Sequence, residues 1–171
     1  MLPISLLLLG LALLLWILSR RARRASGLPM GRVVYSDTGG WAKPEKPLFS
    51  QRWQLTGKPD YLVRHRSGYV PVEVKATAAP AAGPHAAHIY QLAAYCALVA
   101  ETYQRRPAYG LIRYADKTLA VDYTPALEAA LRQVLEHIRA DAEADDVARS
   151  HSSAARCRSC GFREICDESL A

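Results

Sequence analysis

Two short β-rich runs on either side of a polar turn commit the middle of this 171-residue chain to a hairpin. The first run is Gly57-Lys58-Pro59-Asp60-Tyr61-Leu62-Val63, the turn carries Arg66-Ser67-Gly68, and the second run is Tyr69-Val70-Pro71-Val72-Glu73-Val74-Lys75. The hairpin is expected to occupy about residues 55–75. Side chains two apart on a strand share a face, so Glu73 and Lys75 project together while Val72 and Val74 turn away. Asp60, on the opposite arm, can meet that pair across the hairpin. Two carboxylates hold a hard cation such as Mg²⁺ or Mn²⁺, and a lysine beside them can orient or deprotonate an attacking water. These are the components of a divalent-metal phosphodiesterase site. They also suit an ordinary solvated hairpin, because an acid separated by twelve residues from a Glu-x-Lys is a loose pattern.

The next segment adds to the first reading. After a small-residue loop at residues 76–84, an alanine-rich helix is expected from residue 85 or 86 to 104. Gln91 and Tyr95 lie four apart on it and share one face. An amide and a phenol therefore stand next to the strand that carries the carboxylates. A second hairpin is expected over residues 109–114 and 118–123, around Ala115-Asp116-Lys117. Thr124 then reads as an N-cap and Pro125 as the first residue of another helix. Leu127, Leu131, Val134, Leu135 and Ile138 form its apolar stripe, which predicts core packing. Residues 32–35 are expected to add a short strand. This order of strands and helices suits a mixed α/β sandwich.

Gly57-Lys58-Pro59-Asp60, Val72-Glu73-Val74-Lys75 and Gln91-Leu92-Ala93-Ala94-Tyr95 together resemble the successive motifs of the PD-(D/E)XK nucleases. The likeness is to the RecB-like branch that includes the CRISPR-associated Cas-four exonucleases, and it runs from about residue 48 to the C-terminus. The resemblance implies a restriction-endonuclease-like mixed sheet flanked by helices, and a metal-dependent nuclease acting on nucleic acid, expected to be DNA. It implies Asp60 and Glu73 as ligands of Mg²⁺ or Mn²⁺ and Lys75 as the catalytic lysine. Gln91 and Tyr95 would position the nucleic-acid backbone or the metal site. Arg64, Arg66, Arg105 and Arg106 are basic candidates for backbone contact, although exposed arginines are commonly just solvated. The family's usual histidine ligand comes from an N-terminal helix, whereas the first histidine here is His65. Asp37 and Glu45 are the acidic residues available in its place.

Cys157, Cys160 and Cys166 sit close together near the C-terminus. Thiolates at such spacing hold either a zinc ion or an iron–sulfur cluster. The resemblance favours a 4Fe–4S cluster, with these three cysteines as ligands and Zn²⁺ as the alternative. The family's fourth cysteine lies upstream of the nuclease motifs, and this chain has none before Cys96. Cys96 falls on an apolar helical stripe with Leu92 and Val99 and reads as a buried, inert thiol. His151 is the other candidate for a fourth ligand.

Residues 1–18 contain no charged side chain. At about 1.5 Å per residue such a helix spans roughly 27 Å, close to the thickness of a bilayer's hydrocarbon core. Arg20, Arg21, Arg23 and Arg24 follow it, and no small-residue cleavage site is evident. These features predict a retained single-pass anchor with the C-terminal side in the cytoplasm. The net charge of +6 is mostly this flank: removing four arginines from 22 basic residues leaves 18 against 16 acidic ones. Overall basicity is therefore no independent sign of nucleic-acid binding. The expected organisation is a transmembrane helix at residues 1–19, a basic linker at 20–31, the nuclease-like domain at 32–150 and the cysteine tail at 151–171. The alternative to an enzyme is a catalytically degenerate module binding nucleic acid or a protein partner at the membrane.

Overall fold

The computed structural model of the chain describes residues 9–11, 13, 32–33, 40–65 and 68–171. Apart from residues 9–11 and 13, the expected anchor and linker lie outside the described residues, as do Asp37 and Arg66. Among the described residues no helix is long and apolar enough to cross a membrane. The chain forms two compact units, Met1–Arg132 and Gln133–Ala171.

The first unit is built on a six-stranded mixed sheet. In spatial order its strands are β1 (Arg32–Val33), β8 (Thr118–Asp122), β7 (Tyr109–Arg113), β6 (Gly68–Val74), β5 (Tyr61–His65) and β2 (Trp41–Ala42). Neighbouring strands are antiparallel except β6 and β7, which run parallel with Glu73 opposite Ile112. Parallel neighbours cannot be joined by a tight turn and need a crossover. Helix α1 (Ala86–Thr102) supplies it. The expected hairpin is present but begins later than residue 55. Leu55–Gly57 is a separate strand, β4, paired with β3 (Leu48–Ser50) in a two-stranded sheet. Pro59, buried between β4 and β5, has no N–H to offer a ladder, so the two strands separate there.

Alternation along β6 sorts its side chains between two faces. Val70 and Val72 join Leu111 and Ala120 in one apolar cluster. Tyr69 faces the other way and packs with Leu48, Leu62, Leu98 and Val99. Helix α1 is alanine-rich and lies almost wholly in the interior, with Leu92, Leu98 and Val99 at most 1% exposed. Each such side chain contributes about 1.5–3 kcal/mol through burial. The chain leaves the helix through Gln104, which takes the left-handed conformation at φ 53°. Close helix–sheet packing depends on glycine at two places. A Cβ at Gly110 of β7 would stand 2.7 Å from Leu92 Cγ and Cδ1, and one at Gly57 would meet Leu98 and Tyr95 at 3.0 Å.

The second hairpin, β7–β8, pairs Tyr109 with Asp122 and Arg113 with Thr118. Helix α2 (Pro125–Glu143) follows, and the Thr124 hydroxyl accepts the Leu127 N–H at 3.1 Å as a cap. Its stripe is only partly interior. Leu127 and Leu131 are buried, but Ile138 is 56% exposed, so the apolar pattern outruns the packing. Arg106 is held in place: it pairs with Glu128, donates to the Tyr123 carbonyl at 2.9 Å and lies 4.1 Å above the Tyr123 ring. It braces the start of α2 and is not a free cation for a phosphate backbone. Arg64 and Arg105 are exposed.

The second unit contains the end of α2, a short helix α3 (Ala154–Arg158) and a 3₁₀ turn at Arg163–Ile165. The Arg149 guanidinium donates to the Glu168 carbonyl at 2.9 Å and closes the segment on itself.

Candidate active site

The last ladder pair of the β5–β6 hairpin is Tyr61 with Val72. One step further on, Asp60 stands across from Glu73. The Asp60 Oδ2 accepts the Val74 N–H at 2.7 Å, so this carboxylate extends the ladder just before β5 begins. The Lys75 N–H donates to the Arg113 carbonyl at 2.8 Å. The backbone of Glu73-Val74-Lys75 is thus fixed from both neighbouring strands.

Glu73 is 6% exposed, an uncommon position for a carboxylate unless it is paired. Its Oε1 accepts from Lys75 Nζ at 2.8 Å. Lys75 Nζ also donates to Gln91 Oε1 at 2.9 Å, and Gln91 Nε2 donates to the Tyr95 oxygen at 3.1 Å. Burial raises the Tyr95 phenol above its ordinary range, and the Glu73 and Asp60 charges push the same way while the bond from Gln91 opposes them. Asp60, Glu73, Lys75, Gln91 and Tyr95 are therefore brought into one connected cluster. It lies where β6 and β7 end and α1 begins. Nothing places Glu45 in it. Among the described residues no three His, Cys, Asp or Glu side chains form a group that could hold a metal ion, so the acidic part of the site is a pair.

Beyond Gln91 and Tyr95, the structure adds His88, which is three residues before Gln91 and thus on the same helical face. The His88 Nδ1 lies 2.8 Å from the Tyr114 hydroxyl. The usable signal is the three-residue spacing from Gln91.

In the tail, His151, Cys157, Cys160 and Cys166 line one cavity of about 240 Å³. Cys157 is buried and its sulfur accepts the Leu170 N–H at 3.5 Å, Cys160 is exposed, and His151 Nδ1 accepts the Ser153 N–H at 3.2 Å. Cys96 lies instead in the core of α1, where burial drives its thiol far above the ordinary range.

The model of the PD-(D/E)XK nuclease superfamily matches residues 8–167. The chain belongs to this superfamily. Among solved structures, this PD-(D/E)XK protein is similar to SSO0001, with 16% sequence identity and a TM-score of 0.45. The similarity covers 79% of this chain and 62% of SSO0001, so the chain spans less than two thirds of that protein's length. No curated protein matches the sequence. Membership of the PD-(D/E)XK superfamily makes a metal-dependent nucleic-acid hydrolase the general expectation for the cluster just described.

The donor chemistry of the acidic pair suits a hard cation. Asp60 and Glu73 offer carboxylate oxygens side by side, and magnesium is commonly bound by one or two carboxylates plus substrate phosphates and water.

Proposed function

We propose that the chain is a membrane-anchored, metal-dependent deoxyribonuclease, an exonuclease of the RecB-like branch. One observation carries the catalytic part: the unbroken chain of contacts from Asp60 through Val74, Glu73 and Lys75 to Gln91 and Tyr95. A structural hairpin has no need to bury a carboxylate against a lysine and fasten the lysine to a glutamine. Asp60 and Glu73 would hold Mg²⁺ or Mn²⁺, which supplies charge neutralisation at the phosphate and a more acidic bound water. Lys75, steered by Glu73 and Gln91, orients the attacking water or donates to a phosphate oxygen. Gln91 sets the position of Lys75, and Tyr95 closes the cluster beneath it.

The test is cleavage by the full-length chain, in detergent, of end-labelled single- and double-stranded DNA and of RNA, with Mg²⁺ or Mn²⁺. Release of mononucleotides from one end of DNA is the expected result. A second reading, a non-catalytic module that binds nucleic acid or a protein partner, is favoured by the acidic pair lacking a third ligand among the described residues. Binding of DNA without cleavage under any of these conditions would select it.

The tail belongs to the same proposal. No three of its His and Cys side chains are drawn into a ligand set, yet all four groups line one cavity. Sulfur-rich donors suit a soft site, and we read Cys157, Cys160 and Cys166 as ligands of a 4Fe–4S cluster that staples the tail. Protein purified without oxygen is expected to be brown and to carry iron and acid-labile sulfide, with Cys160→Ala losing both. Zinc without sulfide would assign a zinc knot instead.

The anchor rests on two observations. Residues 1–18 are uncharged and four arginines follow them. Leu9 and Leu13 share one side of a helix and Leu11 takes the opposite side, and all three are exposed, at 69, 56 and 49%. The start of the superfamily match at residue 8 favours a competing reading, in which this stretch is the domain's own first helix. The anchored chain is expected to sediment with membranes and resist extraction at high pH, and a reporter fused after Ala171 is expected to be active only in its cytoplasmic form. Recovery of the full-length chain in the soluble fraction would favour the domain helix.

A further inference from the structure

The donors around the acidic pair are largely committed. Lys75 spends two of its three N–H groups on Glu73 and Gln91, and Gln91 spends its oxygen and one N–H on Lys75 and Tyr95. A phosphodiester entering this site presents two non-bridging oxygens that share one negative charge, and needs further donors. The next group along the same face of α1 is His88, one helical turn before Gln91.

His88 is held by a hydrogen bond to Tyr114. The Tyr114 hydroxyl is buried, and His88 Nδ1 is its one hydrogen-bond partner among the described residues. The hydroxyl proton is therefore free to point at His88 Nδ1, 2.8 Å away. With Nδ1 as acceptor, the neutral ring carries its proton on Nε2. That nitrogen has no partner among the described residues, and the side chain is only half-buried. Tyr114 itself is 2% exposed and follows β7 directly, so the group that fixes the imidazole belongs to the rigid core. His85 lies edge-on to His88 with ring centroids 5.3 Å apart.

We propose that His88 is a phosphate-contacting residue of this site, presenting its Nε2–H to a non-bridging oxygen of the scissile or adjoining phosphodiester beside Lys75. Tyr114 is its positioning residue and acts by selecting the tautomer. The charged and titratable neighbours facing the ring are Lys75 from the end of β6, His85 from the start of α1 and Tyr114 from the end of β7. Burial first, then the Lys75 and His85 charges, hold the imidazole below its ordinary range, which keeps it neutral in the free protein and consistent with a donor ready on one defined nitrogen. The inference rests on the nuclease reading for the identity of the ligand.

The test compares the full-length wild-type chain with His88→Ala, His88→Gln and Tyr114→Phe. It reads KM and kcat with Mn²⁺, affinity for a short single-stranded DNA with Ca²⁺ in place of Mn²⁺, and Tm. His88→Ala is expected to weaken binding and raise KM about tenfold or more, the size of one hydrogen bond to a charged group. His88→Gln, whose amide nitrogen falls near Nε2, recovers most of that loss. Tyr114→Phe raises KM without an equal fall in kcat. A drop in Tm in all three variants with unchanged affinity, or glutamine no better than alanine, would overturn the proposal and leave His88 a structural residue. If the wild-type chain binds DNA but cleaves none, the nuclease reading falls, while the affinity ratio still decides His88. If it neither binds nor cleaves, both fall.

Discussion

Asp60→Asn and Glu73→Gln are each expected to reduce cleavage by about a thousandfold while the protein melts near the wild-type temperature. Both substitutions keep an oxygen where the structure uses one. Asparagine can still accept the Val74 N–H, and glutamine can still accept from Lys75. Both remove the negative charge that a divalent cation needs. Loss of several kcal/mol of transition-state charge stabilisation corresponds to about three powers of ten in rate. Alanine is the less informative choice, because at Glu73 it would strand Lys75 beside a buried gap. Lys75→Met is expected to lose activity comparably with a smaller effect on metal affinity. Rates and melting curves on the same purified preparations check all three. Wild-type cleavage by the Glu73→Gln protein would remove this cluster as the active site.

The second large effect is structural. Gly110→Ala places a methyl group 2.7 Å from the branch carbon of Leu92, which is 1% exposed and has no room to retreat. Overpacking of this kind costs about 1–3 kcal/mol. For a chain of this size that lowers Tm by several degrees, roughly 2–4 °C per kcal/mol. Leu92 directly follows Gln91, so a helix displaced from β7 carries the amide away from Lys75. Gly110→Ala is therefore expected to lose both stability and cleavage, whereas the Asp60 and Glu73 substitutions separate the two. An unchanged Tm would show that α1 can move without cost.

How far the chain can be read from its letters depends on the range of the interactions. The β5–β6 hairpin, α1 and the Thr124 cap rest on contacts a few residues apart, and alternation, alanine content and capping chemistry encode them. The meeting of Glu73 with Lys75 follows from strand periodicity alone. The pairing of Leu55–Gly57 with Leu48–Ser50 is different, because β-propensity cannot say which partner a strand takes. Only the donorless Pro59 hints at the break. Arg106 looks in sequence like a free cation for DNA, and its engagement with Glu128 and Tyr123 depends on a chain reversal that no local pattern records. His88 escapes notice for the same reason, since Tyr114 lies 26 residues away across the parallel crossover. The exposed Ile138 shows the converse error: an apolar stripe can be continuous in sequence and packed only over its first turns.

The Val74 and Lys75 N–H groups are both committed before any ligand arrives, one to Asp60 and the other to the end of β7. The ordering entropy of the Glu73-Val74-Lys75 segment is thus met once, when the sheet forms, and not again at each encounter with substrate. A site ordered in this way has no partly assembled form to pass through. Under denaturant, chemistry and fold should vanish in a single transition, with the activity midpoint falling on the midpoint for loss of the sheet and not ahead of it.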